Sequence, residues 1–537
     1  MRLGDIAERN ARHAGNLEAI VFKNRRLTWK AFDDRANSIA NGLLKIGVKK
    51  GDRVALYLAN SDAIINCYYG IPKMGAITVP LNTMLSKREL EYIINDCKPE
   101  VLIYSSTFES IVKTLKELDG CKSLRTFFCF DQDCSGFKSE FALDFEDLAT
   151  KNSTDPPKMK IDDREPFMIN YTGGTTGNPK GVLLSQFGVI QSALLTIATG
   201  GGENTTLKRS DRVLLPLPIF HLAATLGVIT SSLEIATTIP LDSFNISEML
   251  RIAETEKATT MCFIPTMLNL FVQQEDLIKS HNLNTLKYII YGAAPMHAAI
   301  LKKAMGLFPG IKFEGGYGLS EFSPVIAWLT PADHNFALQK PENEYMLLSA
   351  GRPMMGVTLK IVDQNDNELP YGQVGEIVVQ GDGMMLGYWN LLEKTKEALR
   401  GGWLHTGDMA YLNEENYLFI VDRSKDMIKS GSENVFSKEV EDALYKHEAV
   451  LECAVIAKPD PKWGEAVHAV VVLKRGFKEG QNITEQALID FCKESIAHYK
   501  APKSIEFKRS LPKSAQGKIL KRELREKFWV ASERKVG

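Results

Sequence analysis

Through the first third of this chain, short apolar runs alternate with amphipathic helical stretches at a spacing that crossover connections satisfy. Arg53–Leu58 reads as a buried strand. Ser61–Met74 has an apolar stripe behind an N-cap serine and reads as a helix. Ala76–Pro80 is a strand, Ser86–Cys97 an amphipathic helix, and Glu100–Tyr104 a strand. Phe108–Leu118 is helical and Leu124–Phe130 is again a strand. Strand–helix–strand units of this kind require a largely parallel sheet covered by helices. The theme returns in the middle of the chain. Leu286–Tyr291 is an apolar strand ending in Gly292-Ala293-Ala294-Pro295, a helix runs from His297 to Leu307, and Ile311–Glu314 is a strand ending in Gly315-Gly316-Tyr317-Gly318. Two neighbouring strands thus end in small-residue loops. Open α/β sheets bind ligands at the carboxyl ends of their strands, so a pocket is expected there.

From Gly351 to Asp422 the texture changes to short alternating runs, such as Thr358–Val362 and Glu376–Gln380, separated by turns like Pro370-Tyr371-Gly372. Antiparallel sheet or a small barrel is expected. Beyond Arg423, helix Lys438–His447, strands Ala454–Ala457 and Ala469–Leu473, helix Glu485–His498 and strand Ser504–Phe507 make a compact α+β unit. The expected division is therefore 1–424 and 425–537, the second part being long enough for its own core.

Charge and cysteine content remove several function classes. Lys+Arg is 65 against 66 Asp+Glu, a net charge of −1, which excludes an overall basic nucleic-acid binder. The eight cysteines have no CxxC spacing, so neither a disulfide framework nor a four-ligand zinc site is suggested. Buried free thiols in a reducing compartment are expected instead. The N-terminus carries no apolar signal-peptide region. The charge-poor Val213–Leu233 stretch, interrupted by Pro216, Pro218 and His221, reads as protein interior rather than a membrane span. A cytoplasmic protein with no transmembrane segment follows.

The densest chemical feature is Tyr171-Thr-Gly-Gly-Thr-Thr-Gly-Asn-Pro-Lys-Gly181: four glycines, three threonines and one lysine in eleven residues. Glycines turn backbone N–H groups toward a ligand, hydroxyls donate further bonds, and the lysine adds charge, a set suited to phosphate. It is not a Walker A loop, because Lys180 follows Pro179 and precedes Gly181. Gly517-Lys518 fails the same pattern, having Ile519 next and Pro512 in place of the first glycine.

The Tyr171–Gly181 loop resembles the signature of the adenylate-forming superfamily of acyl-CoA synthetases, peptide-synthetase adenylation domains and firefly-type luciferases. Further segments match in the family's order: Pro216–His221, Tyr291–Pro295, Gly316–Glu321, Gly375-Glu376, Gly387–Asn390, Gly402–Asp408, Arg423–Asp426, Ser430–Val435 and Pro512–Lys518. The likeness spans the chain and is strongest toward the fatty-acid and 4-coumarate–CoA ligases.

The resemblance implies an α/β fold with a large N-terminal domain of α/β subdomains plus a small β-barrel, and a smaller mobile α+β C-terminal domain. It implies an ATP-dependent carboxylate–CoA ligase that forms an acyl-adenylate and then a thioester. ATP, Mg²⁺ and coenzyme A are the expected cofactors. By resemblance Lys518 reaches the substrate carboxylate and α-phosphate, and Glu321 holds the metal. Thr172, Gly173, Gly174, Thr175, Thr176, Gly177 and Lys180 surround the phosphates, with Thr176 close to the reacting centre and Ser320 standing where threonine is usual. Gly292, Ala293 and Ala294 line the adenine, beside Gly316 and Gly318, and Tyr317 stacks on it. Asp408 accepts from the ribose hydroxyls and Arg423 reaches ribose or phosphate. His221 separates the acyl pocket from the nucleotide. Lys425 is the hinge of a domain rotation, and Gly431 lines the pantetheine tunnel, although Ser432 replaces a common glycine. Leu222, Ala223, Ala224 and Gly227 point to an apolar acid: fatty, aryl or alicyclic. The resemblance also implies a lysine acetyltransferase acting on Lys518 and leaves a homodimer open. Alternatives are a ligase loading a separate carrier protein, a luciferase-like oxygenase, and a non-catalytic nucleotide or acyl-CoA sensor.

Overall fold

The computed structural model describes residues 1–172, 178–199, 208–423, 426–430, 433–514 and 517–529. Gly173, Gly174, Thr175, Thr176, Gly177, Lys425 and Gly431 lie outside them. Two large sheets form most of the body. One has nine strands. Its parallel centre runs Lys312–Tyr317, Tyr288–Gly292, Thr260–Phe263, Arg212–Leu215, Thr237–Pro240, Glu18–Phe22. Ala327–Leu329 and Arg352–Pro353 extend one edge antiparallel, and Arg25–Thr28 the other. The second sheet has eight strands. Ile77–Pro80, Arg53–Tyr57, Val101–Ser105 and Thr126–Phe130 lie parallel in it, in the segments expected from the alternation. Pro166–Thr172 and Lys180–Ser185 pair as an antiparallel hairpin on its other side, followed by Gly387–Tyr388. Helices packed between the sheets share one large apolar core with them, among them Trp29–Lys45, Asp62–Lys73 and Leu222–Leu233.

Local signals account for the element ends. Ser86 opens helix Lys87–Cys97 with a capping box: its hydroxyl accepts from Glu89 N–H, and the Glu89 carboxylate accepts from Ser86 N–H at 2.8 Å. Ser61 stands at the expected N-cap of Asp62–Lys73, yet its hydroxyl donates to the Ala59 carbonyl instead of capping. The strand expected to stop at Glu314 continues to Tyr317. Gly315 and Gly316 permit this, because a Cβ there would come within 2.8 Å of the Tyr291 ring and 2.6 Å of the Trp328 ring.

The third sheet joins Thr358–Val362, Gly375–Gln380, Leu404–Leu412 and Leu418–Arg423, all antiparallel. Of the two forms expected here, antiparallel sheet is the one the ladder describes. The C-terminal unit is a separate sheet of Ile428–Ser430, Glu433–Val435, Val450–Asp460, Gly464–Leu473 and Ser504–Phe507, with helices Ser437–Leu444, Glu485–Ser495 and Lys521–Trp529. It has its own buried core around Val440, Val455, Val467 and Leu488. All eight cysteines are unpaired, seven of them buried. Among the described residues no helix is long and apolar enough to cross a membrane.

Candidate active site

The glycine–threonine loop is the connection of a hairpin. Thr172 pairs with Lys180 in the antiparallel register, and its hydroxyl donates to the Lys180 carbonyl at 3.5 Å. The two strands that flank the loop are therefore paired up to its ends. Lys180 lies with its ammonium 4.5 Å from the centre of the Tyr388 ring. The Tyr388 hydroxyl donates to Glu321 Oε1 at 2.9 Å. Tyr388 thus stands between the expected phosphate lysine and the expected metal ligand. The sequence motif Gly387–Asn390 contained it, but nothing in a linear pattern assigns it these two neighbours.

Asn170, one turn of the strand before the loop, is a second residue missed from the sequence. It is 2 % exposed. Its Oδ1 accepts from the Ser320 hydroxyl at 3.3 Å and its Nδ2 donates to the Phe220 carbonyl at 3.1 Å. One amide therefore ties the phosphate hairpin to the Ser320 turn and to the peptide before His221. The Pro216–His221 segment is further held by Asn60, which donates to Leu217 O at 2.8 Å and accepts from Ile219 N at 2.7 Å. Tyr68 donates to Ile219 O at 2.9 Å. His221 is the N-cap residue of helix Leu222–Leu233, its ring tilted against Phe220 with centroids 4.6 Å apart. Burial pushes the imidazole down to about 3, and the Lys518 charge pushes in the same direction, so the ring is neutral at ordinary pH.

Tyr317, Asp408 and Arg423 form one polar group contributed by two sheets. Asp408 and Arg423 are register partners on adjacent strands. Tyr317 donates to Asp408 Oδ2 at 2.8 Å, and Arg423 Nε lies 3.1 Å from Asp408 Oδ1. The adjoining backbone is tightly packed. A Cβ on Gly292 would lie 2.6 Å from the Gly316 carbonyl oxygen, and one on Gly318 would lie 1.8 Å from that of Pro324. Ala293, between two of these close approaches, has φ +68, a conformation that costs a non-glycine residue energy.

Lys518 comes into this group from the C-terminal unit. Ser514 and Lys518 close a tight turn, Ser514 N–H donating to Lys518 O at 2.8 Å. The Gly517 carbonyl accepts from Thr266 Oγ at 3.0 Å, which presses the turn against the large body. Burial pushes the Lys518 amine down to about 8, and the Arg423 charge adds to this, while Asp408 and Glu321 oppose it. Lys518 therefore shares an electrostatic neighbourhood with Arg423, Asp408 and Glu321, and its charge reaches His221. Gly292, Ala293 and Ala294 are half-buried along the same rim. Among the described residues no cluster of three or more His, Cys, Asp or Glu could form a metal centre from protein ligands alone.

Comparison with known proteins places the chain in a family. Residues 7–389 match the AMP-binding enzyme family and residues 439–518 match the AMP-binding enzyme C-terminal domain. The chain is 32% identical over 530 residues to the fatty acid–[acyl-carrier-protein] ligase ScoC of Streptomyces coeruleorubidus, covering 98% of this chain and 96% of that protein. It is 33% identical over 528 residues to a feruloyl-CoA synthase of Amycolatopsis sp, covering 98% and 99%. The crystal structure of the anthranilate CoA ligase AuaEII in complex with anthranoyl-AMP superposes with a TM-score of 0.89 at 28% identity, covering 99% of this chain and 98% of that one.

Proposed function

The chain belongs to the AMP-binding enzyme family, and from that premise we propose how its residues perform the reaction. It is an AMP-forming acid–thiol ligase. A carboxylate attacks the α-phosphate of ATP and expels pyrophosphate; the thiol of coenzyme A then attacks the acyl carbon and expels AMP. The substrate supplies the nucleophile in each step, so the protein's task is positioning and charge neutralisation. The observation that carries this reading is the convergence of Lys518, from the C-terminal unit, on Arg423, Asp408, Glu321 and His221 of the large body.

Lys518 neutralises charge gathering on the α-phosphate and orients the incoming carboxylate. Asp408 accepts from the ribose hydroxyls, and its bond from Tyr317 sets the angle at which that ring meets the adenine. Gly292, Ala293, Ala294, Gly316 and Gly318 give the base its close approach. Thr172 and Lys180, with Gly173, Gly174, Thr175, Thr176 and Gly177, hold the phosphates, aided by Ser320. Neutral His221 divides acyl pocket from nucleotide without adding a charge. Glu321 fits a magnesium ion, because that ion keeps several waters and takes phosphate oxygens alongside one or two carboxylates. Bound there, it would neutralise ATP oxygens, and Tyr388 keeps the carboxylate pointed at that place. We place the domain boundary at 424/425, with Lys425 as hinge and Gly431 in the path of the thiol.

The acid we propose is apolar: fatty, aryl or alicyclic. Leu222, Ala223, Ala224 and Gly227 follow His221 on the helix, and the relatives include a fatty acid ligase and a feruloyl-CoA synthase. The test is AMP release from ATP and magnesium across a panel of acids, with and without coenzyme A. CoA-dependent AMP from one acid class is expected. Adenylation with no response to CoA would favour the second reading, transfer to a separate carrier protein, which the likeness to a carrier-protein ligase supports. Unpaired cysteines fit a cytoplasmic, reducing setting. Acetylation of Lys518 by a lysine acetyltransferase would remove the required charge, and an acetylated protein adenylating at full rate would refute that switch. A homodimer is tested by light scattering.

A further inference from the structure

The nine-stranded sheet sets four side chains in one row. Its parallel register places Cys262 beside Ile290, and Ile290 beside Glu314. Leu214 pairs with Met261, so Leu215 continues the row next to Cys262. Alternation along a strand sends all four to one face. That is the face covered by helix Leu222–Leu233: Leu215 and Cys262 share its core and Ile290 packs against it. Leu214, Met261, Ile289 and Phe313 belong to the core on the other side.

The covered face is not closed. Ile290 is half-buried although it sits in a central strand, and on the helix Ala223 is exposed and Gly227 half-buried. A Cβ at Gly227 would meet only Leu215, at 3.5 Å. The small residues of the helix and the half-buried Ile290 thus leave room between helix and row, on the helix that His221 opens. Glu314 ends that row. It is 2 % exposed, and its Oε1 has no hydrogen-bond partner. Trp328, packed over Gly316 in the next row, has an indole N–H that is close enough to favour the ionised carboxylate yet forms no hydrogen bond. Lys312 and Tyr288 occupy the preceding row, the ammonium 5.5 Å from the ring centre. Burial pushes the Glu314 carboxyl up to about 7. A buried carboxylate oxygen without a partner is destabilising unless a bound ligand completes its bonding.

We propose that Glu314 is a specificity-determining residue, which hydrogen-bonds a hydroxyl group at the far end of the carboxylic acid substrate. The inference rests on the ligase reading and narrows its apolar acid to one that is apolar along its length with a single distal hydroxyl. The Trp328 N–H supplies a donor to the oxygen of the same group. A site built to bond a hydroxyl rejects the analogue that lacks it, because the protein's own polar groups are then left unpaired.

The experiment compares pairs of acids of matched length, alkyl and aryl, ending in hydroxyl or in methyl. CoA-dependent AMP release is measured in the wild-type, Glu314→Gln and Glu314→Leu proteins. The wild type is expected to favour the hydroxylated member of at least one pair by about tenfold or more in kcat/KM. Glu314→Gln keeps the preference, and Glu314→Leu abolishes or reverses it with KM for ATP unchanged. Equal use of both members by the wild type, or an unchanged ratio in Glu314→Leu, overturns the inference. Should Glu314→Leu not fold, the wild-type ratio decides. AMP from methyl-ended acids alone sinks the inference and leaves the ligase standing. AMP from no acid sinks the ligase reading and the inference with it.

Discussion

Lys518 shows how burial gives one side chain a pH range. Its amine is pushed down to about 8, chiefly by burial and then by Arg423. In the role proposed for Lys518 the cation is the form that stabilises the transition state, so kcat/KM for ATP in adenylation should be level below that pH and fall about tenfold per pH unit above it. Pyrophosphate exchange measured from about pH 6 to about pH 10 checks this, and a wild-type profile that stays flat to the alkaline end refutes it. His221, pushed down to about 3, is neutral throughout and adds no acid limb in that range. The stability linkage has the opposite slope. A lysine whose folded pKa lies below its unfolded value leaves the unfolded state holding more protons between the two, so the ligand-free protein gains stability as pH rises above about 8 toward 10.5. Lys518→Ala should lower adenylation at least about a hundredfold. It should leave thioester formation from supplied acyl-adenylate intact, and equal loss of both steps would remove the assigned role. Lys518 itself was legible in the sequence, through Pro512 and Gly517. Its lowered pKa was not, because Arg423 and the surface that buries it belong to other parts of the chain.

At the scale of elements, the site depends on where strands stop and what holds the loops after them. Gly318→Ala puts a Cβ 1.8 Å from the Pro324 carbonyl oxygen, a backbone atom with no rotamer to relieve the clash. The turn carrying Ser320 and Glu321 must shift, with an expected stability loss of about 2–4 kcal/mol. Thermal unfolding should register it alongside a raised KM for ATP, and an unchanged melting temperature contradicts the packing described. Asn170→Ala removes the tie between the hairpin, the Ser320 turn and the Phe220 peptide. It should raise KM for both ATP and acid and lower kcat, because one amide positions elements of both pockets; a change confined to ATP would show that the Phe220 bond is idle. Most strands and helices could be read from periodicity and capping residues such as Ser86. The strand through Gly315–Tyr317 could not, because its continuation depends on pairing with Ala327–Leu329. Nor could the clamp on Pro216–His221, since Asn60 and Tyr68 are more than a hundred residues away in the chain.

For the whole molecule, the question is what keeps the C-terminal unit docked with Lys518 in the site. Among the described residues, Ser437 N–H donates to Asp422 Oδ2 and Lys438 Nζ to Ile420 O close to the boundary, and three polar contacts span the two parts farther from it. Thr266 Oγ donates to Gly517 O at 3.0 Å, Asn269 Nδ2 donates to Leu451 O at 2.8 Å, and His297 Nδ1 lies 2.6 Å from Asp442 Oδ1. The His297 ring also stacks on Tyr445, with centroids 3.9 Å apart. Two of these contacts come from helix Pro265–Val272 and the third from the residue that opens helix Ala298–Leu307, just beyond the Gly292–Pro295 rim. The proposed rotation, which would exchange the catalytic face for the thiol-accepting one, would have to break all three at once. Each hydrogen bond contributes about 1 kcal/mol, so losing two should cut the docked population by about tenfold or more if docking is marginal. Asn269→Ala combined with Asp442→Ala should therefore slow single-turnover adenylation and leave thioester formation from supplied acyl-adenylate unchanged or faster. These residues touch neither the nucleotide rim nor the acyl cavity, so the asymmetry between half-reactions isolates docking from chemistry. If the double variant slows both half-reactions equally, the contacts serve stability and not the rotation. If it slows neither, the docked state is held by the chain connection and Lys518's own charge partners.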